Sequence, residues 1–114
     1  MQLISTHDIG VFAAKALLDP QKWAGRAIAL AGDDLSFSEL RDIFKQTTGQ
    51  VLPEASRLLA HPVLWWFKDA RMSFEWFRTV GYGADITSLR EEEPGLQDFG
   101  TWLRQTSQWA DQTE

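Results

Sequence analysis

Apolar positions recur along this chain with a strand-like period in a few short stretches and a helix-like period in most of the rest. Gln2-Leu3-Ile4 is a short strand candidate. Ser5-Thr6-His7-Asp8 follows it, where a hydroxyl at an N-cap satisfies orphan amides and Asp8 suits the positive end of a helix. Ile9, Phe12, Ala13, Ala16 and Leu17 stand at i, i+3, i+4, i+7 and i+8, which predicts one face of a helix that Pro20 stops. From Arg26 to Ala31 the chain is continuously apolar after its first residue, the pattern of a strand covered on both faces as in parallel sheets, and Gly32-Asp33-Asp34 ends it. Ser36-Phe37-Ser38-Glu39 is a capping box opening a helix with the stripe Phe37, Leu40, Ile43 and Phe44, and Gly49 suits its left-handed C-cap. Gln50-Val51-Leu52-Pro53 predicts at most an edge strand, because Pro53 cannot donate to a ladder.

From Glu54 onward the periods are helical only. Ala55 to Ala60 predicts a short helix that Pro62 breaks or kinks. A longer one then carries Val63, Trp66, Phe67, Ala70, Phe74 and Phe77 on one stripe up to Gly81. Gly81-Tyr82-Gly83 is a turn, Asp85 caps a short helical turn through Leu89, and Pro94-Gly95 opens a final helix with Leu96, Phe99 and Leu103 inward. The tail after Trp109 is expected to fray. The expected fold class is therefore α/β and helix-rich, about five helices with two or three short strands. It reads as one partial domain over 1–114, with a sheet-associated part at 1–53 and a helical part at 54–114. Three short strands built for a larger parallel sheet do not complete one here, so unpaired edges are expected to seek another chain.

Composition narrows the function. A chain of 114 residues with 44% apolar content fits one ordinary globular domain that buries about 60–70% of its unfolded surface if compact. No apolar run approaches the roughly 20 residues that span a bilayer. Eleven Lys and Arg, scattered singly against sixteen Asp and Glu, give a net charge of −5 and disfavour a phosphate-backbone binder. The absence of Cys removes disulfides and thiolate sites, and two His leave little for a metal, so no metal site is expected. His7, Asp8, Lys15 and Asp19 in the first twenty residues do not read as a signal peptide, and the expected location is cytoplasmic.

The order of blocks Asp8-Ile9-Gly10-x-Phe12-Ala13-Ala14, Trp23-x-Gly25-Arg26-x-Ile28-x-Leu30-Ala31-Gly32-Asp33, Leu35-Ser36-Phe37-x-Glu39-Leu40 and Thr48-Gly49 resembles NmrA-like proteins, an atypical extended short-chain dehydrogenase/reductase group. Phe74-x-Trp76-Phe77-x-x-x-Gly81-Tyr82-x-Ala84-Asp85-Ile86, then Leu89-Arg90, Pro94 and Trp102-Leu103, continue the resemblance over nearly the whole chain. The resemblance implies the C-terminal lobe of a Rossmann-type fold without a complete dinucleotide-binding sheet. No G-x-G-x-x-G occurs, and Gly81-Tyr82-Gly83 follows a helix, so it is not the nucleotide turn. NAD(P) is expected for full-length relatives, and none is expected to be bound by this chain alone. The chain is then a fragment, a shortened gene product, or half of a pair completed by another polypeptide. Three function classes follow: an NAD(P)-linked sensing or regulatory protein acting through ligand or partner binding, the substrate lobe of a reductase, or a stand-alone interaction module.

No catalytic residue is assigned. His7-Asp8 reads as capping rather than an acid/base pair, His61 as a helix-end residue, and Glu91-Glu92-Glu93 as a solvated face. Asp33 lies just beyond a predicted strand, where α/β folds place ligands, and also fits an acidic turn. Trp66 and Phe77 share a stripe that reads as core or pocket, whereas Trp65 and Trp76 lie off it and are candidates for a pocket wall or partner interface. Tyr82 is either turn packing or a hydrogen-bonding gate. Asp33, Trp65, Trp66, Trp76, Phe77 and Tyr82 are thus the candidate pocket residues. Expected partners are a dinucleotide-binding lobe, a second copy of the chain, or a regulatory protein; nucleic acid and membrane are not expected.

Overall fold

A computed structural model describes residues 1–112. Strand β1 (Gln2–Leu3) leads into helix α1 (Thr6–Leu18), and the Ser5 hydroxyl accepts the Asp8 amide at 3.1 Å as its N-cap. Asp19 closes α1 and caps the single turn α2 (Pro20–Trp23), with Pro20 in the first helical position, where a missing amide costs nothing. Strand β2 (Asp33–Asp34) precedes α3 (Phe37–Thr48). The capping box forms, with the Ser36 amide donating to Glu39 Oε2 at 2.7 Å, and Gly49 ends the helix at φ +72°. Helices α4 (Arg57–Trp66), α5 (Lys68–Thr79), α6 (Ile86–Glu92) and α7 (Phe99–Gln105) follow, then a 3-10 turn at Ala110–Gln112. The frayed tail expected after Trp109 is thus a 3-10 turn as far as it is described.

Three expectations about the sheet are corrected. β1 and β2 pair antiparallel, Gln2 with Asp34 and Leu3 with Asp33, and are the two strands among the described residues. Arg26 to Ala31 forms no ladder; the Arg26 amide turns back to the Trp23 carbonyl at 3.2 Å, and just past the run the Gly32 amide donates to the Leu3 carbonyl at 2.7 Å. Nor is the run covered on both faces, since Ala27 and Ile28 are exposed and only Ala31 is fully buried: with no ladder to seat it between neighbours, an apolar run fixes neither a hydrogen-bond partner nor two-sided burial. Gln50–Pro53 is not a strand either, since the Gln50 amide is taken locally by the Thr48 hydroxyl at 3.2 Å.

The helices number seven rather than about five among the described residues, the single turn α2 being one that the pattern did not announce, and the break expected at Pro62 falls at Phe67. Helix α4 runs through Pro62, which removes only the amide that would have bonded Leu58, and the chain leaves helical geometry at Phe67 (φ −98°, ψ 84°). The stripe from Val63 to Phe77 is therefore split between two helices. His61 consequently sits inside α4 rather than at a helix end. Helix α6 runs on past Leu89 to Glu92, and α7 is opened not by Pro94-Gly95 but by Asp98, whose carboxylate accepts the Thr101 amide at 2.7 Å.

The core has two small centres. Phe12, Leu89 and Leu96 are buried together, with Ile4, Trp23 and Leu30 against them and the Trp23 ring edge-on to Phe12 at 6.3 Å. Phe44 of α3 and Leu103 of α7 are fully buried where those helices pack, and Trp109 meets Phe44 edge-on at 5.2 Å. Polar ties bind the late residues to the early ones. The Gln2 side-chain amide exchanges two hydrogen bonds with the Ala84 backbone, and Arg90 donates to the Gly32 carbonyl at 3.0 Å. Lys15 pairs with Glu93 and Lys22 with Glu92, so two of the three glutamates expected to be a solvated face instead hold α6 to α1 and α2.

Helices α4 and α5 contact each other and contain no buried residue. The molecule is correspondingly expanded. Its Cα radius of gyration is 16.7 Å, where a compact chain of this length has about 13 Å. Its accessible surface is 8585 Å², where a folded monomer of this mass exposes about 6,300 Å².

Candidate functional site

The candidate pocket residues fall in three separate places. Asp33 lines a cavity of about 220 Å³ beside β1, walled by Leu3, Leu40, Phe99 and Trp102. The rings of Phe99 and Trp102 stack there at 6.0 Å. The polar groups of this cavity are largely engaged from within. The Asp33 carboxylate takes the Asp34 amide at 3.0 Å and the Phe99 amide at 3.1 Å, and the Thr101 side chain and amide hold the Asp98 carboxyl below its ordinary range. With its carboxylates tied to backbone amides, the cavity is suited to an apolar group rather than to acid/base chemistry.

Trp76, Phe77 and Tyr82 form a second cluster. Their ring centroids lie 5.0 to 5.7 Å apart in edge-on and tilted pairs, because Gly81 at φ +64° turns the chain back after α5 and lays Tyr82 over the helix end. Tyr82 remains 66% exposed. The third place is a cavity of about 560 Å³ between α4 and α5, lined by Arg57, His61, Leu64, Trp65 and Arg71. Trp66 belongs to none of the three and is 78% exposed. Sequence reasoning passed over Asp98, Arg57 and Arg71 and read His61 as a helix-end residue. Arg57, His61 and Trp65 stand four residues apart in turn, a spacing that puts them on one helix face, and Asp98-x-x-Thr101 is a cap signal. Arg71 reaches the cavity from another helix, which no local pattern announces.

His7 and Asp8 do not act together: His7 is exposed and Asp8 is 1% exposed, its carboxylate accepting the Gln97 amide at 2.9 Å. Among the described residues no group of three or more His, Cys, Asp or Glu is placed to hold a metal ion, and no helix is long and apolar enough to cross a membrane.

The model of the NmrA-like family matches residues 1–56. This segment is NmrA-like. The match runs from β1 through α3 into the segment before α4, and the blocks from Phe74 to Leu103 lie beyond it. No curated protein matches the chain. A dinucleotide on the NmrA-like segment would need a strand-to-helix turn whose free amides meet the pyrophosphate. Asp8 puts a buried carboxylate in the first turn of α1, and at α3 Glu39 accepts the Ser36 amide, which holds its own pKa low. The first turn of each helix thus carries a carboxylate of the chain itself, while the α1 cap is the Ser5 hydroxyl.

Proposed function

We propose that this chain acts by binding rather than by turnover, as an NmrA-like sensing or regulatory lobe, NAD(P)-linked only through a companion polypeptide that holds the nucleotide. The observation that carries this reading is the pair α4 and α5, whose 10 and 12 residues contain no buried side chain while Leu58, Trp65, Trp66 and Phe74 are each more than 60% exposed. An apolar surface of that extent is characteristic of an interface. The excess of about 2,200 Å² over a compact monomer exceeds the roughly 800 Å² that each partner contributes to a standard interface. Charge selects the partner. Residues 57–79 hold four cations and two carboxylates, a local +2, and leave −7 on the remainder of the chain. A second copy of this chain therefore supplies a complementary acidic surface.

Sedimentation velocity over a wide concentration range tests this. The expected result is reversible association that weakens with salt, and one compact 13.0 kDa species at every concentration would overturn it. Titration with NADPH and NADH, read by energy transfer from the six tryptophans, tests the nucleotide part. No transfer is expected from the chain alone. Micromolar binding would replace this reading with the substrate lobe of a reductase.

A further inference from the structure

We propose that the cavity between α4 and α5 is a binding site for a small organic anion that carries an aromatic ring. Arg57, Ala60, His61, Leu64 and Trp65 stand at i, i+3, i+4, i+7 and i+8 of α4 and line one wall, and Arg71 of α5 lines the other. The cleft is open to solvent on one side, and its volume of about 560 Å³ is within the range of small-molecule sites, which run from about 300 to 1,000 Å³.

The charges in this wall are what distinguish it. Four of the eleven Lys and Arg, namely Lys15, Lys22, Arg41 and Arg78, pair with carboxylates, and Arg90 donates to the Gly32 carbonyl. Among the described residues Arg57 and Arg71 make no ion pair, and no carboxylate lines the cavity they share. Two guanidinium forks beside one space match the paired oxygens of a phosphate or carboxylate, and the His61 ring adds a nitrogen donor. Trp65 and Leu64 supply an apolar surface next to them, with the indole 73% exposed and open to stacking. An anion lacking a ring would leave that surface wet, and a ring lacking a charge would leave both guanidiniums unmatched. Trp65, Arg57 and Arg71 also belong to the α4/α5 surface proposed to self-associate, so the site is tested at concentrations where the chain is monomeric.

Calorimetric titration of the full chain with phenyl phosphate, inorganic phosphate and benzyl alcohol is the test. Phenyl phosphate is expected to saturate one site and to bind about tenfold or more tightly than either of the others. Arg57→Gln with Arg71→Gln is expected to abolish saturation, and Trp65→Leu to bring phenyl phosphate down to the level of phosphate. Lys68→Gln, which removes a cation of α5 outside the cavity, is expected to change nothing. Because α4 and α5 bury no side chain, these changes leave the core untouched, and far-ultraviolet dichroism checks the helices. Arg57→Lys with Arg71→Lys keeps the charge without the fork and is expected to bind with intermediate affinity. Absence of saturation, unchanged binding in the double Gln variant, or equal affinity for phosphate and phenyl phosphate would each overturn the proposal. The last would mark a cationic patch for an acidic protein surface.

Discussion

The carboxylate of Asp8 accepts a hydrogen bond from the Gln97 amide at 2.9 Å, joining the first turn of α1 to the loop before α7 across 89 positions of sequence. Asp8 is 1% exposed, so this bond is made out of water, where leaving a donor unmatched costs more than making the bond yields. Asp8→Ala strips Gln97 of its acceptor and removes the negative charge from the first turn of α1. The expected loss is about 2–3 kcal/mol of unfolding free energy. Asp8→Asn keeps an acceptor oxygen and is expected to lose clearly less. Urea denaturation of both variants checks this, and equal losses would show that the charge, not the bond, is what matters.

Gly32 lies beside the same loop for a different reason. A Cβ built there would collide with the Gln97 carbonyl oxygen, a backbone atom that cannot swing aside as a side chain does. Around it, the Gly32 amide donates to Leu3 and its carbonyl accepts from Arg90, so the backbone is held on both sides. Gly32→Ala is expected to cost about 2–4 kcal/mol, in the range of overpacking plus a broken hydrogen-bond network. Gly10→Ala, where nothing lies within 4 Å, is the control and is expected to be neutral or slightly stabilising. Thermal melts of the two variants compare them directly.

These ties explain which parts of the fold were legible in the sequence. Caps act over three or four residues, so Ser5, Ser36, Gly49 and Asp85 could be read from local pattern and stand as expected. Pairing acts across the chain. Nothing within Arg26 to Ala31 records that Leu3 is its neighbour, and nothing in Glu92 or Glu93 records that Lys22 and Lys15 will reach them. The candidate residues scattered for the same reason: one long helix read from Val63 to Gly81 assumes one axis, and the turn at Phe67 divides it, so that the off-stripe Trp65 and Trp76 fall on different helices, one at a cavity and the other in a separate ring cluster.

Several carboxylates couple the fold to acid. Glu39 is held below its ordinary 4.5 by the Ser36 amide, Glu92 by Lys22 and Glu93 by Lys15, while Ser88 lowers Asp85 and Thr101 lowers Asp98 below 3.8. Each group binds protons less readily folded than unfolded. Their stabilisation is therefore complete above the unfolded values and is lost as pH falls through the lower folded ones. The urea midpoint is expected to decline from about pH 4.5 downward, with no contribution from these groups to any change above it. Glu92→Gln and Glu93→Gln together should flatten that decline. A decline of the same steepness in the double variant would assign the acid sensitivity to other carboxylates.

Leu103 and Leu58 are the same residue type in opposite surroundings, and together they test whether α4 and α5 stand apart from the core. Leu103 is fully buried where α7 packs on α3. Leu103→Ala is expected to cost about 2–5 kcal/mol, since the surrounding side chains fill the vacated space only in part. Leu58 in α4 is 87% exposed, and Leu58→Ala is expected to stay within about 0.5 kcal/mol at protein concentrations where the chain is monomeric. Concentration adds the decisive contrast. If α4 is covered in a self-associated form, Leu58→Ala gains a cost as concentration rises, because folding and association are then linked by mass action, whereas the Leu103 cost stays the same. A Leu58→Ala cost of several kcal/mol at the lowest concentration would instead mean that α4 is packed within the single chain, and the exposed helix pair would no longer describe it.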